Sequence, residues 1–199
     1  MTETTESSHP GSNMKLTSRG KLLLLIGVFA LPVIAAGIAY LGWRPSAHGN
    51  YGELLEVKPL QATTGMRLDG QAFDMDSLRG KWLMVHIGSG GCDAACAYQL
   101  YLSRQVRTAQ GKDQSRIERL WILSDGRAPD AALMKMHPGL IVWRPVDRNF
   151  LAQFPRAGAA NQIYLVDPLG NLMMRFPVEP DPKRMMKDLR LLLKASQIG

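Results

Sequence analysis

Residues 22–41 run without a charge or a strongly polar side chain, and no other stretch of the chain is like them. At ~1.5 Å of rise per residue, a helix of that length crosses the ~30 Å hydrocarbon core of a bilayer. Gly27, Pro32 and Gly37 suit a membrane helix better than a soluble one. A cleaved signal peptide is the competing reading, and it calls for an apolar region of only ~7–15 residues ending at a small-residue cleavage site. This run is longer, and it passes into Gly42-Trp43-Arg44-Pro45, the composition of an interfacial ending. An uncleaved anchor over residues 22–43 is therefore expected.

The other segments have different patterns. Residues 1–14 are polar and aperiodic, so residues 1–21 read as a disordered tail. Pro45, Gly49, Gly52 and Pro59 break up residues 44–59, which read as a linker. Residues 60–199 read as one α/β domain. Trp82–Ile87 is an almost unbroken apolar run with the length of a central strand. The turn Gly88-Ser89-Gly90-Gly91 leads from it into Cys92, and residues 93–110, free of Gly and Pro, suit a helix that Gly111 ends. Arg119–Ser124 is a second strand, 129–137 a short helix opened by Pro129, and Leu140–Trp143 a third strand. Gln162–Val166 and Leu172–Phe176 flank the turn Asp167-Pro168-Leu169-Gly170-Asn171 as a hairpin. The last helix opens with Pro182 at its first position. It sets Met185, Leu189, Leu192 and Leu193 on one face, and Lys183, Arg184, Lys187, Arg190 and Lys194 on the other. Strand, helix, strand, helix, hairpin, helix is the order of a thioredoxin-like domain, a central mixed sheet flanked by helices. Here it stands behind one N-terminal transmembrane helix.

Charge adds an orientation. Lys15, Arg19 and Lys21 precede the span, and only Arg44 follows it closely, so the N-terminus is expected in the cytoplasm and the domain outside. Glu3 and Glu6 argue against a mitochondrial transit peptide. A bacterial inner membrane with a periplasmic domain fits this pattern. The formal net charge is +7, with three Lys/Arg and two Asp/Glu in residues 1–21 and 21 against 15 in the remainder. A basic tethered domain is drawn to anionic headgroups or an acidic protein, although a simply solvated surface would look the same. Nucleic acid is not expected as a partner on that side of the membrane.

Cys92 and Cys96 are the only cysteines, placed where a strand ends and a helix begins. At that spacing on one helical turn their Cα atoms come within ~6 Å, inside the range for a disulfide. A helix N-terminus lowers a thiol pKa and so favours the thiolate that attacks disulfides and binds soft metals. A structural disulfide is the plain alternative, but a bridge between such near neighbours constrains little chain and stabilises little. There is no pattern for a hydrolase triad, a zinc site or a phosphate loop.

The segment Gly80-Lys81-Trp82-Leu83-Met84-Val85-His86-Ile87-Gly88-Ser89-Gly90-Gly91-Cys92-Asp93-Ala94-Ala95-Cys96 resembles the CxxxC region of the Sco/SenC proteins. Those are membrane-anchored, thioredoxin-fold copper proteins of cytochrome c oxidase assembly. Ile122–Gly126 with Pro129 resembles the family's second strand and its Asp-containing turn, and Tyr164–Asn171 its late hairpin. The likeness covers about residues 60–195. It implies that Cys92 and Cys96 form a dithiol that either reduces a copper-site disulfide on an oxidase subunit, Cys92 attacking and Cys96 resolving, or ligates Cu(I) and passes it on. Two positions depart from the family: its copper-ligating histidine corresponds to Ala159, and the proline after the first cysteine to Asp93. Two thiolates suit Cu(I), whereas Cu(II) calls for an imidazole as well. Of the remaining candidates, Met134 and Met136 read as core packing, His137 as a surface residue and His86 as a core histidine. Two other functions stay open: a general periplasmic thiol–disulfide oxidoreductase, and a non-catalytic binding module with its cysteines locked together.

Overall fold

The computed structural model describes residues 17–42, 49–61, 63–155, 162–196 and 198. The expected tail up to residue 16, the interfacial Trp43–Pro45 and the position of Ala159 lie outside them. The chain divides at His48–Gly49 into an N-terminal unit and a folded domain. The described part of the first unit is helix α1, Ser18–Gly42, which contains Pro32. Its stretch Ser18–Ala39 has a mean hydropathy of 2.7, long and apolar enough to cross a membrane, and none of it is buried against protein.

The domain is an eight-stranded mixed sheet with helices over it. The strands are β1 (Glu53–Pro59), β2 (Thr64–Arg67), β3 (Ala72–Asp74), β4 (Trp82–Gly88), β5 (Ile117–Leu123), β6 (Leu140–Pro145), β7 (Ile163–Val166) and β8 (Asn171–Arg175), in the spatial order β1-β8-β7-β4-β5-β6-β2-β3. Between them lie α2 (Ala94–Thr108) and α3 (Ala131–Met136), with α4 (Pro182–Ala195) at the end. β4, β5 and β6 run parallel, and β7 pairs antiparallel with β4. β4 is central and buried on both faces, which is why its sequence is apolar without alternation.

One face packs Leu83, Val85 and Ile87 with Leu120, Ile122 and an edge-to-face series of rings, Trp143, Phe150, Phe154 and Tyr164, whose centroids are 5.2, 5.6 and 5.3 Å apart. The other face packs Trp82, Met84, Ile117 and Leu165 under Leu102 and Val106 of α2 and Met185, Leu189 and Leu193 of α4. A third cluster joins Cys96 and Leu100 to Trp121, Leu123, Leu133, Leu140 and Val142. The buried residues of all three clusters lie between residues 60 and 193, so the domain carries its core within itself.

Two expectations change. Residues 53–59, read as linker, are β1, hydrogen-bonded to β8 at the edge of the sheet. The second unit accordingly begins at Gly49 rather than at residue 60. Asp188 of α4, on the turn between the apolar positions, is 2% exposed and accepts the amides of Tyr51 and Gly52 at 2.7 and 2.8 Å. Arg184 stacks on the Tyr51 ring, and the Tyr51 hydroxyl accepts the Asp181 amide. The start of the folded domain is thereby fastened to α4.

Candidate functional site

β4 delivers the site. Where it ends, Ser89–Gly91 turn the chain, and Asp93 caps α2, its carboxylate accepting the Cys96 amide at 2.8 Å. The residue that departs from the Sco/SenC pattern thus has a local task, satisfying one of the amides that every helix start leaves open. Cys92 and Cys96 are joined in a disulfide with Cα atoms 5.3 Å apart. Cys92 is half-buried, while Cys96 is 3% exposed and packs into the cluster around Trp121 and Leu100. One cysteine is partly exposed at the helix start and the other is buried beneath it, and exchange with another disulfide depends on such access.

A second turn holds the first in place. Asp125 accepts the Ser89 hydroxyl at 2.6 Å, the Gly90 amide at 3.0 Å and the Arg127 amide at 3.2 Å. Its carboxyl is held below the ordinary 3.8, first by the Ser89 hydroxyl and then by the Gly90 amide. The Gly91 amide donates back to the Ser89 hydroxyl. A Cβ on Gly90 would lie 2.1 Å from the Arg127 carbonyl oxygen, so only glycine lets the two turns approach this closely. Gly90→Ala must push one turn away from the other. The expected cost is about 2–3 kcal/mol, with a changed rate of Cys92–Cys96 reduction by dithiothreitol. Thermal unfolding and stopped-flow reduction read both. An unchanged melting temperature with an unchanged rate would mean that the turns are not coupled.

The histidines fall in unequal places. His86 is a core residue as expected, 3% exposed, its ring 6.1 Å from that of Trp121. Neither of its nitrogens has a hydrogen-bond partner among the described residues. Burial lowers its pKa to about 4, partly opposed by the Asp93 carboxylate, so the imidazole is neutral at pH 7. His137, expected on the surface, is 4% exposed. It caps the short helix α3, its amide donating to Met134, and its carbonyl accepts the Leu140 amide as the chain folds back at Gly139 (φ 72°). Its pKa is lowered, chiefly by burial and then by Arg119 and Arg104. Met134 packs beside the Cys96 cluster, and Met136 is exposed. Among the described residues no three His, Cys, Asp or Glu side chains come together to hold a metal. Reduced, the two cysteines would offer a soft two-thiolate set suited to Cu(I), and among the described residues no His, Asp or Glu joins them there.

Sequence reasoning overlooked Ser89 and Asp125 as a pair, and Arg119. The latter is 2% exposed on β5, and its Nη2 donates to the Pro138 carbonyl at 2.8 Å. It also overlooked a cavity of about 440 Å³ beside the cysteine turn, lined by Ala95, Tyr98, Gln99, Val178, Glu179 and Pro180. No local sequence signal marks such a cavity, because its two walls come from segments far apart in the chain.

A mixed sheet, a helix opening on a two-cysteine turn at the end of its central strand, and a single N-terminal apolar helix define a thioredoxin-like protein with one candidate membrane span. The family model for the transmembrane-like, thioredoxin-like, C-terminal domain matches residues 82–196, and the chain belongs to that family. No curated protein matches it. Among solved structures it is similar to copper-bound yeast Sco1, with 18% identity over 70% of this chain and 96% of that one and a TM-score of 0.60. Copper-bound ScoI of Bradyrhizobium japonicum is 22% identical over 67% of this chain and 99% of that one, with a TM-score of 0.52. The thioredoxin domain of a thiol-disulfide oxidoreductase from Bacteroides vulgatus is 16% identical over 70% and 99%, with a TM-score of 0.51. At these identities the likeness speaks for a common fold.

Proposed function

We propose that this chain is a membrane-anchored, Sco-like accessory factor for assembly of a respiratory cytochrome c oxidase, working through Cys92 and Cys96. The observation that carries the reading is the pairing of a half-buried Cys92 with a buried Cys96 at one helix start. The fold neighbours lend direction, since one of them is described as a member of the Sco family of cytochrome c oxidase assembly proteins. Residues 1–21 would be a cytoplasmic tail, 22–43 the span of a bacterial inner membrane, and the following domain periplasmic. A reporter enzyme fused after Gly199 is expected to work only in a form active outside the cytoplasm; activity of a cytoplasm-only reporter would reverse the orientation.

As a reductant, the Cys92 thiolate attacks a disulfide on a partner subunit, forming a mixed disulfide and releasing one partner thiolate, which takes up a proton. Cys96, having lost its own proton, then attacks the Cys92 sulfur. The second partner thiol leaves and the Cys92–Cys96 disulfide forms. Two electrons have passed to the partner, and a membrane-side dithiol donor must return two to reset the pair. As a carrier, the same reduced pair would hold Cu(I) as cargo between two thiolates. The second reading is a general thiol–disulfide oxidoreductase, favoured by the Bacteroides neighbour.

The test has two arms. The reduction potential is expected above roughly −300 mV, the region of working rather than structural disulfides. Cu(I) titration of the reduced domain against a competing chelator is expected to show one tight site, lost in Cys92→Ser/Cys96→Ser. A potential well below that line with no copper binding would leave the domain a scaffold. Reversible exchange without copper binding, together with an unaffected oxidase level after gene deletion, would leave the general oxidoreductase.

A further inference from the structure

We infer that the exposed basic stripe of α4 is a binding surface for anionic phospholipid headgroups, holding the domain flat against the membrane that anchors it. Lys183, Lys187, Arg190 and Lys194 are all exposed. Their spacing of four, three and four residues, at 100° per residue, places them within an arc of about 60°, in a row roughly 16 Å long. Among the described residues none of the four is paired with a carboxylate. The acids of α4 are committed elsewhere: Asp181 caps the helix, and Asp188 turns inward to the Tyr51 and Gly52 amides. Leu191, 49% exposed, sits beside the stripe and offers an apolar contact at headgroup depth. The opposite face is fixed in the core by Met185, Leu189 and Leu193, so the stripe cannot rotate away.

Two features favour a lipid surface over an acidic protein. The row is linear and, among the described residues, unpaired with any carboxylate, which suits a laterally mobile layer of negative charge better than a shaped partner. The first residues of the domain are also fastened to this helix. Tyr51, nine residues after the end of α1, is bonded to α4 through Asp188, Asp181 and Arg184. The inference rests on reading α1 as an anchor. Its test uses the domain of residues 49–199, whose core is complete, and therefore stands or falls apart from that reading.

Sedimentation with large unilamellar vesicles reads the binding. The domain is expected to bind vesicles of 70% phosphatidylcholine and 30% phosphatidylglycerol at 0.05 M salt, to leave pure phosphatidylcholine unbound, and to dissociate at 0.5 M salt. Lys183→Gln/Lys187→Gln/Arg190→Gln/Lys194→Gln should reduce binding at least a hundredfold, roughly fivefold per charge, with an unchanged melting temperature. Lys58→Gln/Lys112→Gln/Lys135→Gln/Arg148→Gln removes the same charge from other exposed positions and should reduce it by less than tenfold. No binding to the anionic vesicles, the outcome expected if α4 serves an acidic protein instead, would overturn the inference. Equal losses in the two variants would overturn it as well, because net charge alone would then explain the binding.

Discussion

Replacing Asp188 with alanine should destabilise the domain by about 3–5 kcal/mol, a larger loss than any single surface change. The carboxylate is 2% exposed and accepts two amides, Tyr51 at 2.7 Å and Gly52 at 2.8 Å. Hydrogen bonds to a charged group contribute about 1.5–3 kcal/mol each, and the orphaned amides add a desolvation cost. The bonds join α4 to residues more than 130 positions earlier in the chain, so no local rearrangement restores them. Urea denaturation of residues 49–199 measures the loss. Both amides share Oδ2, so Asp188→Asn, whose side-chain oxygen can take that place, keeps both bonds without the charge and should cost about half as much. A loss below 1 kcal/mol for the alanine variant would show that water replaces the carboxylate at the two amides.

The second large effect is a pH dependence set by His86. Its pKa is about 4 in the folded domain against 6.5 for an ordinary histidine, first because it is buried, with Asp93 as the one charge opposing the shift. Above pH 6.5 the side chain is neutral in both folded and unfolded states. As pH falls from 6.5, the unfolded chain takes up a proton that the folded domain refuses, and stability is lost until pH 4, where both states are protonated. The interval of about 2.5 pH units corresponds to on the order of 3 kcal/mol. His86→Phe fills the same apolar site beside Trp121 and removes the titration. The difference in stability between variant and parent should therefore grow by about that amount from pH 7 to pH 4 and then level off. His137, lowered in the same direction, is present in both proteins and cancels. A difference that stays constant across this range would mean that the imidazole is hydrated in the folded state.

The parts of the fold that could be read from the sequence are those where burial is continuous or periodic. β4 and β5 show themselves as apolar runs, and α4 by its two-sided pattern and its capping Asp181. β1 could not be read, because six of its seven residues are exposed, with no alternation and with Pro59 at its end. β2 is four residues long, and its Gly65 looks like a breaker. There a Cβ would meet the Trp143 indole nitrogen at 2.0 Å, so the glycine is a condition of strand packing. At the site, the spacing and position of Cys92 and Cys96 were legible from the sequence alone. The support from Asp125 was not, because its contacts join turns 35 residues apart. His137 was misplaced for a similar reason: next to Pro138 it looks like a loop residue, but the turn at Gly139 folds it under Leu140.

The two ends of the sheet bear on life in a membrane, where anchored copies diffuse in a thin layer and meet far more often than in free solution. A sheet edge with unpaired amides invites a second copy to add its strand. Here one edge is β3, only three residues long. The other is β1, interrupted by a register shift between Leu54 and Lys58, bearing Glu53, Glu56 and Lys58, and closed by a proline that has no amide to give. Neither offers a neighbour an uninterrupted ladder, which works against strand-to-strand pairing between copies that meet this often.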